Sequence, residues 1–177
     1  FKVNSKAIIH GHRNEAPPID AYVKVMSKTH RDFKVEHCGM IIDKHLPWVH
    51  ATPDVMTLVH VVVMPYSIAN GNFEAYVEKK DSCLEKISNT FRLKRSHQYY
   101  YQVQQQLFVT DRKHCDFLMC SILNNKQTRF FMERIYNDPS HWGSVLPKLI
   151  KMWRTCILPE VLGRWYTRKH DIDRKST

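Results

Sequence analysis

The chain reads Ala51-Thr52-Pro53-Asp54-Val55-Met56-Thr57-Leu58-Val59-His60-Val61-Val62-Val63-Met64-Pro65-Tyr66-Ser67 through the stretch that decides its fold. Val55–Met64 is almost purely apolar and β-branched. Such a run predicts a strand buried on both faces, at the centre of a sheet. Working outward, residues 33–42 alternate and are β-rich, a second strand ending near Asp43. Before them, residues 13–30 predict a helix: Pro17 and Pro18 suit its start, and Ile19, Tyr22, Val23 and Met26 make an i, i+3, i+4, i+7 stripe. After the central run, residues 70–86 and 97–109 are expected to be helical. Cys115–Ile122 and Arg129–Tyr136 read as two strands joined at the turn signal Asn124-Asn125-Lys126. Residues 138–162 predict a long amphipathic helix, and a basic, frayed tail follows from Gly163. Helix, strands, helices, strands and helix make an α/β sandwich around a mixed sheet. The absence of repeats and linkers points to one domain over 1–162 with the tail at 163–177.

Composition narrows the partner. The 177 residues carry 27 Lys plus Arg against 17 Asp plus Glu, a formal charge of +10, which calls for a polyanion. No run of 18 apolar residues, signal-peptide pattern, lipidation signal or amphipathic basic helix occurs, so nucleic acid is preferred to a membrane surface. The chain opens on Phe1 rather than Met and is read as a piece of something longer. Five glycines and the lack of GxGxxG or GxxxxGK[ST] argue against a nucleotide-binding loop. The five cysteines are widely spread with no CxxC, and the eleven histidines match no zinc-finger spacing. Reduced thiols and an intracellular location, cytoplasmic or nuclear, are expected.

Four local patterns carry the chemistry. They are Asn14-Glu15 at the first helix, Ala51-Thr52-Pro53-Asp54 before the central run, Met64-Pro65-Tyr66-Ser67 at its end, and Tyr99-Tyr100-Tyr101-Gln102-Val103-Gln104-Gln105-Gln106-Leu107, followed by Val109-Thr110-Asp111-Arg112-Lys113 and Cys115-Asp116-Phe117. In this order and spacing, over about residues 10–160, they resemble the YqaJ-type viral recombinase family, relatives of phage lambda exonuclease within the PD-(D/E)xK nuclease superfamily. The family pattern is a helix with Asn-Glu, then G-[AS]-[ST]-P-D-G, then L-[EL]-E-x-K-C-P-[YF]-S, then a Tyr-x-x-Gln-x-Gln helix. The resemblance implies a PD-(D/E)xK restriction-endonuclease-like core, a central mixed β-sheet flanked by helices. It also implies DNA as partner, a possible homo-oligomer, and Mg²⁺ or Mn²⁺ as cofactor. In such a site, carboxylates hold the metals, the metals activate a water, and the Lys orients it.

Carried over residue by residue, the resemblance makes Glu15 and Asp54 the metal-binding carboxylates and Gln102 and Gln104 the site glutamines. Counting back from Pro65, the Glu position falls on Val61 and the Lys position on Val63. Neither valine binds a hard cation or carries a proton, so the expected site is a remnant, with catalysis lost or impaired. General acid–base and positioning groups are each worth roughly 10²–10⁴-fold. The Gly after P-D is Val55, and the hairpin between the two motif halves is shortened. His60 could substitute as a ligand if the strand slipped by one residue. Migrated residues Glu74, Glu78, Lys79 or Lys80 would serve an active alternative, and a non-enzymatic interaction domain is the third reading. Lys86, Arg92, Lys94, Arg95, Arg112 and Lys113 are the expected phosphate contacts. Tyr99, Tyr100 and Tyr101 are expected to pack rather than to stack on bases.

Overall fold

The computed structural model describes residues 16–31, 33, 35, 38–53, 59–63, 72–122 and 128–168. By its internal contacts the chain forms two compact units, Phe1–Asn137 and Asp138–Thr177.

In the first unit, α1 spans Ala16–Met26. Its prolines stand in the first turn, where a missing N–H costs nothing because no intrahelical acceptor waits for it. Ile19, Tyr22 and Met26 are buried as their spacing requires, packing with Leu118 and Cys120 and the partly buried Val23, Phe33, Val35 and Phe130. Short strands β1 (Ile41–Ile42) and β2 (His50–Ala51) pair antiparallel. Asp43 closes the turn after β1, accepting from the amides of His45 at 2.9 Å and Leu46 at 2.7 Å. The expected strand over 33–42 is therefore confined, among the described residues, to Ile41–Ile42.

β3 (Val59–Val63) runs parallel to β6 (His114–Ile122), which is antiparallel to β7 (Thr128–Tyr136). Among the described residues the sheet order is β3-β6-β7, with β6 and not the valine run between two partners. Among the described residues β3 is paired on one side. β6 is the strand buried on both faces. Cys115, Phe117 and Met119 join one core cluster, whereas Leu118 and Cys120 join the α1 cluster. The turn at 124–126 lies outside the described residues, but the two strands it was expected to join are both present.

The helix expected over 70–86 is not formed. Asn72 caps a single short helix, α2 (Phe73–Val77), by accepting from the Ala75 amide at 3.0 Å. β4 (Leu84–Ile87) then pairs with β5 (Thr90–Leu93) across Ser88-Asn89. Ser88 has φ 53°, the positive value a two-residue hairpin loop needs at its first position. Leu84 and Leu93, both fully buried, anchor this hairpin in the cluster of Tyr76, Phe117 and Met119, a gain that α-helical periodicity could not have matched.

α3 (Gln98–Thr110) closes that cluster with Tyr100, Val103 and Leu107, and Asp111 ends it at φ 51°. The packing role expected for Tyr100 is met: it is buried under the Arg95 guanidinium, 4.8 Å from its ring centre.

The second unit is helical: α4 (Pro139–Met152), a π-helical stretch Trp153–Ile157, and α5 (Leu158–Gly163). Asp138 caps α4 through the His141 amide at 2.9 Å, and Pro139 occupies its first turn. The expected helix over 138–162 is thus present, with a π bulge. Of the tail expected to fray after Gly163, residues 165–168 form a further helical turn, and 169–177 lie outside the described residues.

Candidate functional site

On β6, Asp116 is 3% exposed and carries the most strongly held carboxylate of the first unit. Arg134, its register partner on β7, donates from Nε at 2.7 Å and from a terminal nitrogen at 2.8 Å, one bond to each carboxylate oxygen. The Tyr22 hydroxyl from α1 donates a third, at 2.7 Å. Burial alone would raise the Asp116 pKa, but the bonds from Arg134 and Tyr22 outweigh it and hold the carboxyl below its ordinary range. The same arrangement pushes the Tyr22 phenol well up, chiefly through burial, so it remains a donor. The Asp116 charge is thus met within the chain by Arg134 and Tyr22. Asp116 was not among the expected site residues. Its one signal was a charged residue inside an otherwise apolar strand pattern.

Of the residues expected to hold metal, Glu15 and Asp54 lie outside the described residues. β3 brings the position of Val61 opposite Leu118 and that of Val63 opposite Cys120. His60 is in register with Phe117 on β6. A site for Mg²⁺ or Mn²⁺ needs oxygen donors. Hydrocarbon side chains at 61 and 63 supply none, so these two positions do not fit such a cation. Among the described residues, no three His, Cys, Asp or Glu side chains gather where a metal could be held.

The two expected glutamines part company. Gln102 is exposed on α3, while Gln104 is fully buried and donates from Nε2 to the Tyr136 carbonyl at 2.9 Å. Gln105 reaches the other way, donating to the His50 carbonyl at 2.7 Å. Two neighbouring glutamines thus strap α3 to β7 and to β2, satisfying backbone carbonyls where those strands end.

The expected phosphate contacts fall at the two ends of α3. At its N-terminal end, four basic residues have partners within the chain. Lys86 faces Glu74 at 3.5 Å, and Arg92 donates to Glu85 at 2.7 Å. Lys94 Nζ donates to the Ser82 carbonyl at 2.6 Å, and Arg95 to Glu133 at 2.8 Å. At the C-terminal end, Arg112 and Lys113 are exposed, and no described carboxylate lies within ion-pair reach of either.

The alkaline exonuclease of Laribacter hongkongensis, LHK-Exo, superimposes on 97% of this chain and 75% of its own, with TM-score 0.50 and 16% identity. Its complex with dAMP superimposes on 98% of this chain and 77% of its own, with TM-score 0.52 and 18% identity. The fold is that of an alkaline exonuclease. No family model matches the sequence, and no curated protein does. The expected fold class, α/β with helices flanking a mixed sheet, is therefore what the chain has, and it shares the fold of this exonuclease. In this exonuclease fold, no helix among the described residues is long and apolar enough to cross a membrane.

An open concavity of about 510 Å³ lies beside the start of α3, lined by Lys80, Asp81, Ser82, Lys94, Ser96, His97 and Gln98. His97 is the cap of that helix, its Nδ1 accepting from the Tyr99 amide at 3.2 Å. Burial, and then the Lys94 charge, lower the His97 pKa, which keeps the ring neutral and able to accept. The consequence for stability has a fixed sign. Because the folded-state value lies below the unfolded one, the contribution is complete above the ordinary histidine range and is lost as pH falls through the lowered value. Replacing His97 with Ala is expected to cost about 1 kcal/mol in urea unfolding at pH 8, whereas His97→Asn retains a capping oxygen and most of the stability. Equal losses in both variants would show that the cap does not matter.

Proposed function

We propose that the chain is a DNA-binding domain of the viral-recombinase and alkaline-exonuclease type, with Glu15, Asp54, Gln102 and Gln104 as remnants of a hydrolytic site whose catalysis is lost or impaired. The observation that carries this reading is the exonuclease fold together with valine at both positions, 61 and 63, where the family pattern has Glu and Lys. Without the carboxylate of the family's E-x-K motif, Mg²⁺ or Mn²⁺ would bind weakly or not at all, and without its Lys no group would orient water. Asp116 cannot replace the missing Glu, because Arg134 and Tyr22 already occupy its oxygens.

DNA as the partner is supported by the +10 charge and by where part of it lies. α3 has 13 residues and so is roughly 20 Å long, which separates Arg112 and Lys113 from Lys94 and Arg95 by about six base-pair steps of duplex. The exposed pair at the C-terminal end would contribute to phosphate binding most directly. Lys86, Arg92, Lys94 and Arg95 would contribute only to the extent that DNA competes with Glu74, Glu85, the Ser82 carbonyl and Glu133.

A mobility-shift and digestion experiment on linear duplex tests the reading. Binding at about 50 mM salt is expected, with a log–log salt slope shallower by about 2 in Arg112→Ala/Lys113→Ala. No hydrolysis is expected with Mg²⁺ or Mn²⁺. Robust cleavage abolished by Asp54→Ala would overturn the loss of catalysis in favour of migrated catalytic residues. Absence of any DNA affinity would leave a protein-interaction domain.

A further inference from the structure

The described part of the second unit ends in a turn pinned by its own hydrogen bonds. Pro159 has no N–H and so cannot bond the Thr155 carbonyl one turn back. The Tyr166 hydroxyl donates to that carbonyl instead, at 3.0 Å. Glu160 supplies a second anchor: its carboxylate accepts from the Tyr166 amide at 2.8 Å, the Thr167 hydroxyl at 2.6 Å and the Thr167 amide at 3.4 Å. The chain reverses at Arg164, φ 47°, whose amide donates to the Glu160 carbonyl at 2.8 Å. The bonds from Thr167 first, and then from Tyr166, hold the Glu160 carboxyl below its ordinary range, so it stays an acceptor at neutral pH. A segment that looks like a loose basic tail is therefore a pinned knuckle.

What the knuckle displays is unusual for a surface. Trp165 is 59% exposed, Tyr166 50%, and Val161 and Leu162 beside them 67% and 78%. Exposed Arg164 and Arg168 flank the two rings, and Lys169, Arg174 and Lys175 follow in the sequence. Among the described residues of this segment the one acid, Glu160, has both oxygens engaged, and Asp171 and Asp173 lie among the basic residues that follow in the sequence. Large exposed rings set among cations suit a ligand that is at once aromatic and anionic. In a duplex the base faces are covered by stacking, so a ring on the protein gains little from it. In a single strand they are open, and stacking is worth about 1–3 kcal/mol per base.

We propose that this knuckle is a contact for single-stranded nucleic acid, with a base stacked on Trp165 and neighbouring phosphates held by Arg164 and Arg168. The inference deepens the nucleic-acid reading above and rests on it. It adds a second contact, of different strand preference, on a different unit of the chain.

The test compares the full chain with Trp165→Ala, Trp165→Phe and Arg168→Ala, using fluorescein-labelled (dT)20 and a 20-base-pair duplex at several salt concentrations. Circular dichroism confirms that each variant is folded. Trp165→Ala is expected to weaken (dT)20 binding about tenfold while leaving duplex affinity within about twofold. Trp165→Phe, which keeps a ring, is expected to lose no more than about threefold. Arg168→Ala is expected to lower the (dT)20 salt slope by about 0.7. If Trp165→Ala unfolds, the Phe variant and the salt slope of Arg168→Ala decide the matter. Unchanged (dT)20 binding in folded Trp165 and Arg168 variants, with duplex binding intact, overturns the knuckle contact alone. Failure of the unaltered chain to bind either probe overturns the nucleic-acid reading as well. Trp165-dependent binding to phosphatidylserine vesicles, with (dT)20 unaffected, overturns it in favour of a membrane surface.

Discussion

Arg134→Ala is expected to remove about 3 kcal/mol of folding stability, which for a chain of this length lowers Tm by roughly 10 °C. The loss does not come from the attraction of the pair as such. Asp116 is 3% exposed, and its carboxylate would be left inside the sheet with the Tyr22 hydroxyl as its one remaining side-chain donor. The Arg134 side chain is itself 40% exposed, which puts the expected cost toward the lower end for a broken buried pair. Replacing both partners by Leu, which removes the buried charge together with its counter-ion, is expected to recover most of that loss. Urea unfolding of the three proteins gives the comparison. A single variant that loses under about 1 kcal/mol would mean that the pair is solvated, like an ordinary surface bridge.

The pH dependence of the same set follows from the direction of the Asp116 shift. In the unaltered chain the carboxyl is held below its unfolded value, so its contribution is complete above about pH 4 and is lost as pH falls through the folded-state value. In Arg134→Ala the buried carboxyl lacks its cation and its pKa is expected to rise. Its penalty is then relieved by protonation, and the stabilities of the two proteins converge as the solution is acidified.

Glu133→Ala is expected to move stability and DNA affinity in opposite directions. Its carboxylate, 16% exposed, accepts from the Leu93 amide at 2.6 Å and from Arg95 at 2.8 Å, tying the β4–β5 hairpin to β7. Leu93 is fully buried, so the variant strands a backbone N–H where water reaches it poorly, at a cost of about 2 kcal/mol. The Arg95 guanidinium, still over the Tyr100 ring, is released from its carboxylate. One more cation becomes available to phosphate, and the log–log salt slope for duplex binding is expected to steepen by about 0.9. Glu133→Gln keeps one acceptor oxygen and is expected to lose roughly half as much stability. A folded Glu133→Ala protein that binds duplex more weakly would show instead that the Glu133–Arg95 pair orients the contact and that the unpaired guanidinium does not make it.

Much of the architecture is legible in the chain because it depends on local periodicity. The stripe Ile19, Tyr22, Val23 and Met26, the Gln98–Thr110 helix and the pair of strands before Tyr136 each announce themselves by spacing. The errors fall where pairing between distant segments outweighs local pattern. Leu84 and Leu93 gain a place in the core as facing positions of a hairpin, so residues 84–93 do not continue a helix. β6, with Asp116 inside it, is less apolar than the valine run, and yet among the described residues it is the strand paired on both sides, because Arg134 and Tyr22 neutralise the one charge it buries.

The same division runs through the site. Asp54, Glu15, the glutamines and the valines at 61 and 63 are named through the family resemblance, whose motifs lie in order along the chain. Their chemical consequence, that hydrocarbon binds no hard cation, needs no coordinates. Spacing could not say which cations are spoken for. Lys86, Arg92, Lys94 and Arg95 have no acid near them between residues 86 and 98, but folding brings Glu74, Glu85 and Glu133 to three of them and the Ser82 carbonyl to the fourth. The sequence by itself determined the sign and size of the charge, an order of motifs that resembles a nuclease family, and valine at positions 61 and 63. Tertiary structure alone decided, among the described residues, which strand is paired on both sides and which basic residues keep their charge for a partner, because a charge is neutralised by whatever is near in space, however far along the chain.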